Sequence, residues 1–317
     1  MDQLAPCSIE SLRNAANHLR KGALVAFPTE TVYGLGVDAE NESAVERMYQ
    51  VKGRPANHPV IVHIADQNQV GYWAEEIPDY AIALMRKFWP GPMTLILKRS
   101  ERAKDFVTGG QDYVGLRIPA NPIALKLLSE FESLGGHGVA APSANRFGSV
   151  SPTSAGDVKE EIGELLGPED LILDGGSSEV GVESTIIDCS RALPRILRLG
   201  AVTEAMIESI TPIDSDSDLE EIRVSGSLTR HYSPRARVVI DREAKSGEGL
   251  IALSEVMTPA GVTRLSSPNS IEEYARLLYS ALRKGDSQGL AVVVVIPPRG
   301  EGLAAAIRDR IMRASAH

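Results

Sequence analysis

The 317-residue sequence has only two cysteines, Cys7 and Cys189, which lie far apart. They offer no C-x-x-C spacing, so we expect neither a disulfide framework nor a thiolate zinc site. The longest apolar run, Leu290 to Ile296, is far too short to span a bilayer, and the start does not resemble a signal peptide. We therefore predict a cytoplasmic protein.

Positive charge and the familiar nucleotide loops are also scarce. The net charge of -9 and the pI near 5.3 argue against a broad basic face for nucleic acid, although they allow a local basic pocket. No G-x-x-x-x-G-K-[ST] loop occurs, so any ATP site here is not a P-loop. The turn from Gly300 to Ala305 resembles a dinucleotide fingerprint, but Pro297-Pro298 separates it from the strand and no acidic ribose ligand follows. We reject a dinucleotide site there.

The hydrophobic periodicity that is present predicts a mixed α/β protein. Ser8 to Lys21 reads as a capped amphipathic helix, and Ser43 to Val51 as a helix that begins with a capping box. In the predicted strand Pro59 to Ile64, alternation places Ile61 and His63 on one face. Further predicted strands are Ala23 to Phe27, Met93 to Leu97, Tyr113 to Ile118, Gly138 to Ala141, Leu171 to Leu173, Ser184 to Cys189 and Ile196 to Leu199. Further predicted helices are Asp79 to Phe88, Pro122 to Glu130 and Ser154 to Leu166. Their uneven alternation favours a mixed sheet.

The length of the chain favours a large domain followed by a smaller one. Between Thr211 and Ser227 the composition shifts to Asp, Ser and Glu, which is typical of a solvated linker. We therefore predict a large domain over residues 1–210, a linker over 211–235 and a small α/β domain over 236–317. The strands expected in that small domain are Ala236 to Ile240, Leu250 to Leu253 and Leu290 to Ile296, and the helices are Ile271 to Lys284 and Glu301 to Ala314.

Two polar stretches could bind a ligand. Pro28 to Gly36 follows a buried strand, and its hydroxyls and glycines allow close approach to a polar molecule, but an ordinary glycine turn is equally compatible. Lys52 and Arg54 precede Pro55, at the end of a helix. Two cations there are often only a solvated helix end, whereas a loop stiffened by prolines would present them to a triphosphate with little entropy left to lose.

Three further elements carry donors at strand ends. Arg117 interrupts an apolar strand and needs an acidic partner, either a ligand or a protein carboxylate. Ala141 to Asn145, continued by Ser151, is a polar loop after a strand and could equally cap a helix. Gly181 to Thr185 places hydroxyls at the start of another strand. Each of these signals is weak when taken alone.

Together, in this order, the motifs closely resemble the threonylcarbamoyl-AMP synthase family, which is YrdC-like. The resemblance runs from about Ser8 to Ile210, and the later Ser225 to Pro234 with the C-terminal segment resembles the longer, two-domain version of the family. The motifs that carry it are Pro28 to Gly36, Lys52-x-Arg54-Pro, Phe88 to Leu97, Gly115 to Pro119, Pro142 to Asn145, Glu183 to Thr185 and Leu197 to Gly200.

The resemblance implies a twisted mixed sheet with helices around a concave cavity, plus a small Rossmann-like C-terminal domain. It also implies a reaction in which L-threonine, bicarbonate and ATP give L-threonylcarbamoyladenylate and pyrophosphate. The product would supply N6-threonylcarbamoyladenosine at position 37 of ANN-decoding tRNAs, through a separate transferase complex. Mg²⁺ would arrive with ATP, without dedicated protein ligands.

By motif position, the resemblance also implies which residues form the site. The threonine-binding positions are Thr31, His63, Arg117, Ala141 and Ser184, with Arg117 holding the amino-acid carboxylate. The ATP-binding positions are Lys52, Arg54, His58, Tyr113, Ser143, Asn145, Ser151, Arg198 and Tyr232. Lys52 and Arg54 are the predicted catalytic residues, and Tyr232 would fold over the cavity mouth from the linker. His58 and Tyr113 depart from the family pattern, where Asn and Thr are frequent.

The residue types suit this chemistry, since a carbamate oxygen could attack the α-phosphorus in line without a protein nucleophile. Catalysis would then be mostly positioning and charge neutralisation. We expect Lys52→Ala and Arg54→Ala to abolish turnover with nearly unchanged thermal transitions. One alternative is an RNA-binding or ribosome-maturation protein without catalysis, against which the acidic net charge counts. Another is carbamoyl-adenylate chemistry on a different acceptor, as in hydrogenase maturation, for which the accompanying zinc-finger cysteines are missing.

Overall fold

The computed structural model describes residues 4–214, 222–226 and 232–316, and its larger sheet has ten strands. Their order is β1-β8-β2-β3-β7-β4-β6-β5-β9-β10, with parallel pairs such as β4 and β6 beside antiparallel pairs such as β5 and β6. The mixed sheet predicted from the sequence is confirmed. The strands are β1 (Leu4–Pro6), β2 (Val25–Phe27), β3 (Gly34–Asp38), β4 (Ile61–His63), β5 (Met93–Lys98), β6 (Tyr113–Arg117), β7 (Val139–Ala140), β8 (Leu171–Asp174), β9 (Thr185–Asp188) and β10 (Arg195–Arg198).

Helices cover both faces of this sheet. They are α1 (Ile9–Arg20), α2 (Glu42–Lys52), α3 (Val70–Trp73), α4 (Asp79–Phe88), α5 (Asp105–Thr108), α6 (Pro122–Ser133), α7 (Ala155–Ile162) and α8 (Glu204–Glu208). Val25 and Phe27 belong to a core cluster with buried residues of α1 and α6, while Ala26 belongs to the cluster that includes α7. This division follows from the alternation of side chains along β2.

The predicted N-cap of α2, Ser43, is wrong. Asn41 is the N-cap residue, and its side-chain oxygen accepts a hydrogen bond from the Ala44 amide at 3.1 Å. Ser43 instead donates its hydroxyl to Asn41 Oδ1. Asparagine and serine are comparably good caps, so the capping-box pattern at Ser43 could not exclude the earlier residue. The helix ends at Gly53, which adopts the left-handed conformation with φ 60°.

The C-terminal sheet has four parallel strands in the order β11-β14-β12-β13. These are β11 (Arg237–Ile240), β12 (Gly249–Ile251), β13 (Thr263–Ser266) and β14 (Val292–Val295), accompanied by α9 (Ile271–Ser287) and α10 (Leu303–Ser315). The small Rossmann-like α/β unit expected from the sequence is confirmed, although strand β13 was not predicted.

Two regions differ from the sequence-based expectation or lie beyond it. Gly34 to Gly36 was included in the polar stretch Pro28 to Gly36, but it begins the fully buried strand β3. Residues 215–221 and 227–231 of the predicted linker lie outside the described residues, so its boundaries stay a prediction. Among the helices described, none combines the length and the apolar character needed to cross a membrane.

Candidate active site

A cavity lies at the end of strands β4 and β6, where their parallel register places His63 opposite Arg117. The enclosed volume of the cavity is about 50 Å³, and the space including its open mouth is about 550 Å³. The lining residues are Thr29, Thr31, Val32, Tyr33, Gly34, Arg54, Ile61, His63, Arg117, Ala141, Pro142, Ser143, Glu183, Ser184, Arg198, Ser225, Gly226 and Tyr232. Segments from β3 to the linker thus meet around one small space.

All five positions predicted to bind threonine line this cavity: Thr31, His63, Arg117, Ala141 and Ser184. The Arg117 guanidinium donates from Nη2 to Glu30 Oε1 at 2.7 Å, and both side chains are buried. Of the two partners considered for Arg117, a ligand or a protein carboxylate, the structure shows a protein carboxylate, Glu30. Arg117 Nη1 meets no acceptor in the described part of the chain, so it can serve a ligand.

His63 is a neutral imidazole on the same wall. Burial, followed by the nearby charge of Arg117, lowers the pKa of His63 to about 3. The ring meets Phe27 edge-on, with 6.0 Å between centroids, and within the described chain Nδ1 lacks a hydrogen-bond partner of good geometry. At neutral pH His63 therefore offers a polar but uncharged group to the cavity.

The opposite wall carries Arg54 and Arg198. Arg54 donates from Nη2 to the Pro59 carbonyl at 2.8 Å and to Ser225 Oγ at 3.1 Å. Arg198 donates from Nε and Nη2 to the carbonyl and hydroxyl oxygens of Ser184, and from Nη1 to the Ser225 carbonyl at 2.8 Å. Among the described residues, no carboxylate lies within 4.0 Å of either guanidinium group. Burial lowers the pKa of Arg54 to about 10 and also lowers that of Arg198.

Lys52 does not line the cavity, although the sequence placed it beside Arg54. It is the last residue of α2, and its ammonium group donates to the Ser143 carbonyl at 2.6 Å and to the Asn145 carbonyl. Burial lowers the pKa of Lys52 well below its usual value, with Arg54 adding to the effect. The Lys52 side chain thus stabilises the loop that carries Ser143 and Asn145.

Four other predicted nucleotide contacts also lie off the cavity wall: His58, Tyr113, Asn145 and Ser151. The His58 ring meets Phe147 edge-on at 5.4 Å, and the Asn145 amide donates to the Arg146 and Ser149 carbonyls. Tyr113 shares the Arg117 face of β6, but four residues of strand put it about 13 Å away. By contrast, Ser143, Arg198 and Tyr232 line the cavity with Arg54.

Several functional candidates were not singled out from the sequence. Glu30 and Glu183 stand inside quoted motifs, but nothing in the motifs indicated their partners. Ser151 donates its hydroxyl to Glu183 Oε1 at 2.6 Å, which links the polar loop to the cavity wall. Ser225 bridges Arg54 and Arg198. These roles depend on contacts between distant segments, for which the sequence carries no local signal.

The cavity donors do not suit a resident divalent cation. Mg²⁺ prefers carboxylate and carbonyl oxygens in an open octahedral arrangement. Of the carboxylates here, Glu183 and Glu30 are already held by arginines. No cluster of three or more His, Cys, Asp or Glu side chains that could hold a metal occurs within residues 4–214, 222–226 and 232–316.

Comparisons with known proteins identify the family of the chain. Residues 17–200 match a family model described as telomere recombination, Sua5_yciO_yrdC, and residues 202–316 match the threonylcarbamoyl-AMP synthase C-terminal domain. A threonylcarbamoyl-AMP synthase of Pyrococcus abyssi is 40% identical over 96% of this chain and 94% of its own length. A threonylcarbamoyl-AMP synthase of Bacillus subtilis is 38% identical over 96% and 92%.

A solved structure agrees as well. The crystal structure of P. abyssi Sua5 complexed with L-threonine has a TM-score of 0.88 and 37% identity, and the match covers 98% of this chain and 97% of that one. The similarity spans both sheets and the segment between them. The chain belongs to the threonylcarbamoyl-AMP synthase family, in its two-domain form.

Proposed function

We propose that this chain is an L-threonylcarbamoyladenylate synthase, which converts L-threonine, bicarbonate and ATP into threonylcarbamoyl-AMP and pyrophosphate. Family membership supports the activity and its enzyme class, an adenylyltransferase. The product then serves the N6-threonylcarbamoyladenosine modification of tRNA at position 37. We further propose that a separate transferase complex consumes it, and that the protein acts in the cytoplasm.

The observation that carries the assignment of the ATP site is the state of Arg54 and Arg198. Both guanidinium groups are buried in the cavity lining, and no carboxylate of the described residues lies within 4.0 Å of either one. Buried unpaired cations are costly, and an anionic ligand removes that cost by supplying charge-assisted hydrogen bonds. The phosphates of ATP are anions of the right kind, with Ser143 and Tyr232 completing the wall.

The threonine side of the proposed site is chemically different. Arg117 Nη1 would hold the amino-acid carboxylate, and Glu30 fixes the orientation of that guanidinium. Thr31 and Ser184 supply hydroxyl groups that can donate or accept, and Ala141 leaves room for a small side chain. The neutral His63 can interact with the substrate hydroxyl or amine without repelling the amine as a cation would.

The linker must shift before a nucleotide can enter. A volume of about 50 Å³ holds a few water molecules but not ATP. Ser225 accepts hydrogen bonds from both arginines, and Gly226 and Tyr232 line the cavity with it. We propose that Ser225 and Tyr232 move away from the arginines to admit ATP and then cover the labile carbamate and mixed anhydride, as lid residues do in other enzymes.

The proposed mechanism needs no protein nucleophile. The amine of threonine adds to carbon dioxide with loss of a proton, or condenses with bicarbonate with loss of water, and either route gives a carbamate. A carbamate oxygen then attacks the α-phosphorus as the bond to pyrophosphate breaks. Arg54 and Arg198 bind and orient the phosphates and offset the charge that develops. Mg²⁺, bound to the ATP phosphates rather than to dedicated protein ligands, would neutralise further charge. The role of Lys52 as a phosphate ligand stays a prediction. Its ammonium group would have to leave the Ser143 and Asn145 carbonyls before it could bind phosphate.

The direct test is to incubate the protein with ATP, Mg²⁺, bicarbonate and a panel of amino acids, while following pyrophosphate and the mass of the nucleotide product. We expect pyrophosphate release that requires both threonine and bicarbonate, with a product of the mass of threonylcarbamoyl-AMP. Release that is independent of either substrate would contradict the assignment. RNA binding that falls steeply with salt, without ATP turnover, would instead support the RNA-binding alternative.

A further inference from the structure

Two residues of the C-terminal helices reach the wall of the cavity through Glu183. Arg310 of α10 donates from Nε to Glu183 Oε2 at 2.8 Å, and Tyr279 of α9 donates its hydroxyl to the same oxygen at 2.9 Å. Arg310 and Tyr279 are fully buried, and neither lines the cavity, whereas Glu183 does. The second sheet unit therefore touches the site indirectly.

Glu183 is held in one orientation by this arrangement. Its other oxygen, Oε1, accepts the Ser151 hydroxyl at 2.6 Å, so the carboxylate has three donors from three segments. Burial raises the pKa of Glu183, but the Arg310 guanidinium, followed by Arg198 and the Ser151 hydroxyl, outweighs burial and holds this pKa at about 2. The group is thus a fixed anion on the cavity wall.

The same two C-terminal side chains hold Tyr232. The Tyr232 ring stacks on Tyr279 with 5.6 Å between centroids, and the Arg310 guanidinium carbon lies 5.4 Å from the Tyr232 centroid. Tyr232 has φ 59°, a left-handed conformation that a bulky residue rarely adopts. Such a conformation persists where surrounding contacts determine it, and the contacts of Tyr232 include those with α9 and α10.

Arg310 has a third attachment next to the arginine wall. Its Nη2 donates to the Leu199 carbonyl at 2.8 Å, directly after Arg198 in the chain. Arg310 thus contacts three parts of the protein that line or adjoin the cavity. These are Glu183, Tyr232 and Leu199, which follows Arg198 at the end of β10. All three belong to the wall we assign to the nucleotide, while Thr31, His63 and Arg117 lie on segments that these contacts do not include.

We propose that Arg310 and Tyr279 are positioning residues through which the C-terminal domain sets the nucleotide wall of the cavity. This proposal rests on the proposed function for its substrate. It gives the C-terminal domain a role in the reaction, because the orientation of Glu183 and Tyr232 determines the space between Arg54 and Arg198. Of the residues assigned to threonine, Thr31, His63 and Arg117 make no hydrogen bond with Arg310 or Tyr279, whereas Ser184 directly follows Glu183 and accepts from Arg198.

The test compares Tyr279→Phe with Tyr274→Phe in the full chain. Tyr279→Phe keeps the ring that stacks on Tyr232 and removes only the hydroxyl donor to Glu183. Tyr274 lies on the same helix, is equally buried, and donates to the Ile296 carbonyl at 3.0 Å, so its variant loses one comparable hydrogen bond away from the cavity. The readouts are kcat and KM for ATP, and threonine affinity by calorimetric titration.

We expect Tyr279→Phe to lower kcat/KM for ATP about tenfold, because Glu183 loses one of the three donors that fix its orientation. Threonine affinity should change less than about twofold, because Arg117 and His63 keep their contacts. The Tyr274→Phe variant should match the wild type in both readouts. Equal kcat/KM for the two variants, or a parallel loss of ATP and threonine binding, would overturn the proposal. An inactive wild type would instead refute the proposed function.

Discussion

Arg117 and Glu30 form a buried ion pair, with Arg117 Nη2 and Glu30 Oε1 separated by 2.7 Å. The second oxygen of Glu30 accepts the Ala120 amide at 3.0 Å, so the carboxylate is fully engaged. The pair joins the loop after β2 to the end of β6. It therefore fixes the guanidinium group that we assign to the threonine carboxylate.

Replacing Glu30 by glutamine should destabilise the fold markedly. The Arg117 cation would remain buried without a charge partner, which typically costs about 3 kcal/mol or more. Chemical denaturation of Glu30→Gln and wild type would give the difference in unfolding free energy. A matched exchange at Glu132, exposed at the end of α6, should change stability by less than about 0.5 kcal/mol. Equal effects of the two exchanges would show that the ion pair is not needed for stability.

Replacing Arg54 by glutamine should remove activity while sparing the fold. Loss of a preorganised charge that meets phosphate is expected to lower kcat/KM for ATP by about 100-fold or more. Stability should change by less than about 1 kcal/mol, because the guanidinium has no ion-pair partner here and Ser225 Oγ still donates to the Pro59 carbonyl. Steady-state kinetics and thermal denaturation would measure both.

The control for Arg54→Gln is Arg86→Gln, at an exposed position of α4. It removes the same charge from the surface and should leave both readouts unchanged. Near-normal ATP kinetics in Arg54→Gln would contradict its assignment to the phosphates.

Lys52→Met should lose stability as well as activity, which revises the expectation drawn from the sequence. The ammonium group donates to two loop carbonyls, and each acceptor left unsatisfied costs about 1–3 kcal/mol. The thermal transition should therefore fall well below that of Lys87→Met, an exchange at an exposed position of α4. Coincident transitions for the two variants would mean that Lys52 is not structurally important and is free to meet phosphate.

The acid sensitivity of the fold should depend on His63. Its pKa is about 3 in the folded protein, below the ordinary value near 6.5, so the unfolded chain binds the extra proton first as the pH falls. This effect removes about 2 kcal/mol of stability between pH 6.5 and pH 5, and nothing above pH 7. His63→Gln should flatten that part of the stability curve, measured by denaturation at several pH values. Parallel curves for variant and wild type would indicate that His63 ionises freely in the folded state.

The threonine-binding positions were taken from the family resemblance, and local rules of the sequence predict only how two of them lie on their strands. Period-two alternation places Ile61 and His63 on one strand face, and β6 brings Arg117 beside His63 in register. The glycine-rich strand β3 was missed, because Gly34 and Gly36 remove the side chains by which alternation is recognised. Sequence thus predicts which residues share a strand face where the strand carries large side chains.

The nucleotide side was only partly readable. Nearness in sequence suggested that Lys52 and Arg54 act together, but the end of α2 turns their side chains toward different partners. Glu183 and Arg310 are 127 residues apart in the chain, and Ser225 and Arg54 are 171 apart. Such pairs are fixed by how separate units pack, which no motif spacing encodes.

Ser225 makes anion binding at this site an exchange reaction. Its hydroxyl oxygen accepts from Arg54 and its carbonyl oxygen from Arg198, so the two cations keep oxygen ligands when no substrate is bound. In the proposed reaction, an incoming phosphate would replace these oxygens, so its affinity would reflect the difference between two sets of hydrogen bonds. Ser225 would compete in the same way with the departing pyrophosphate, which would limit how tightly this product is retained.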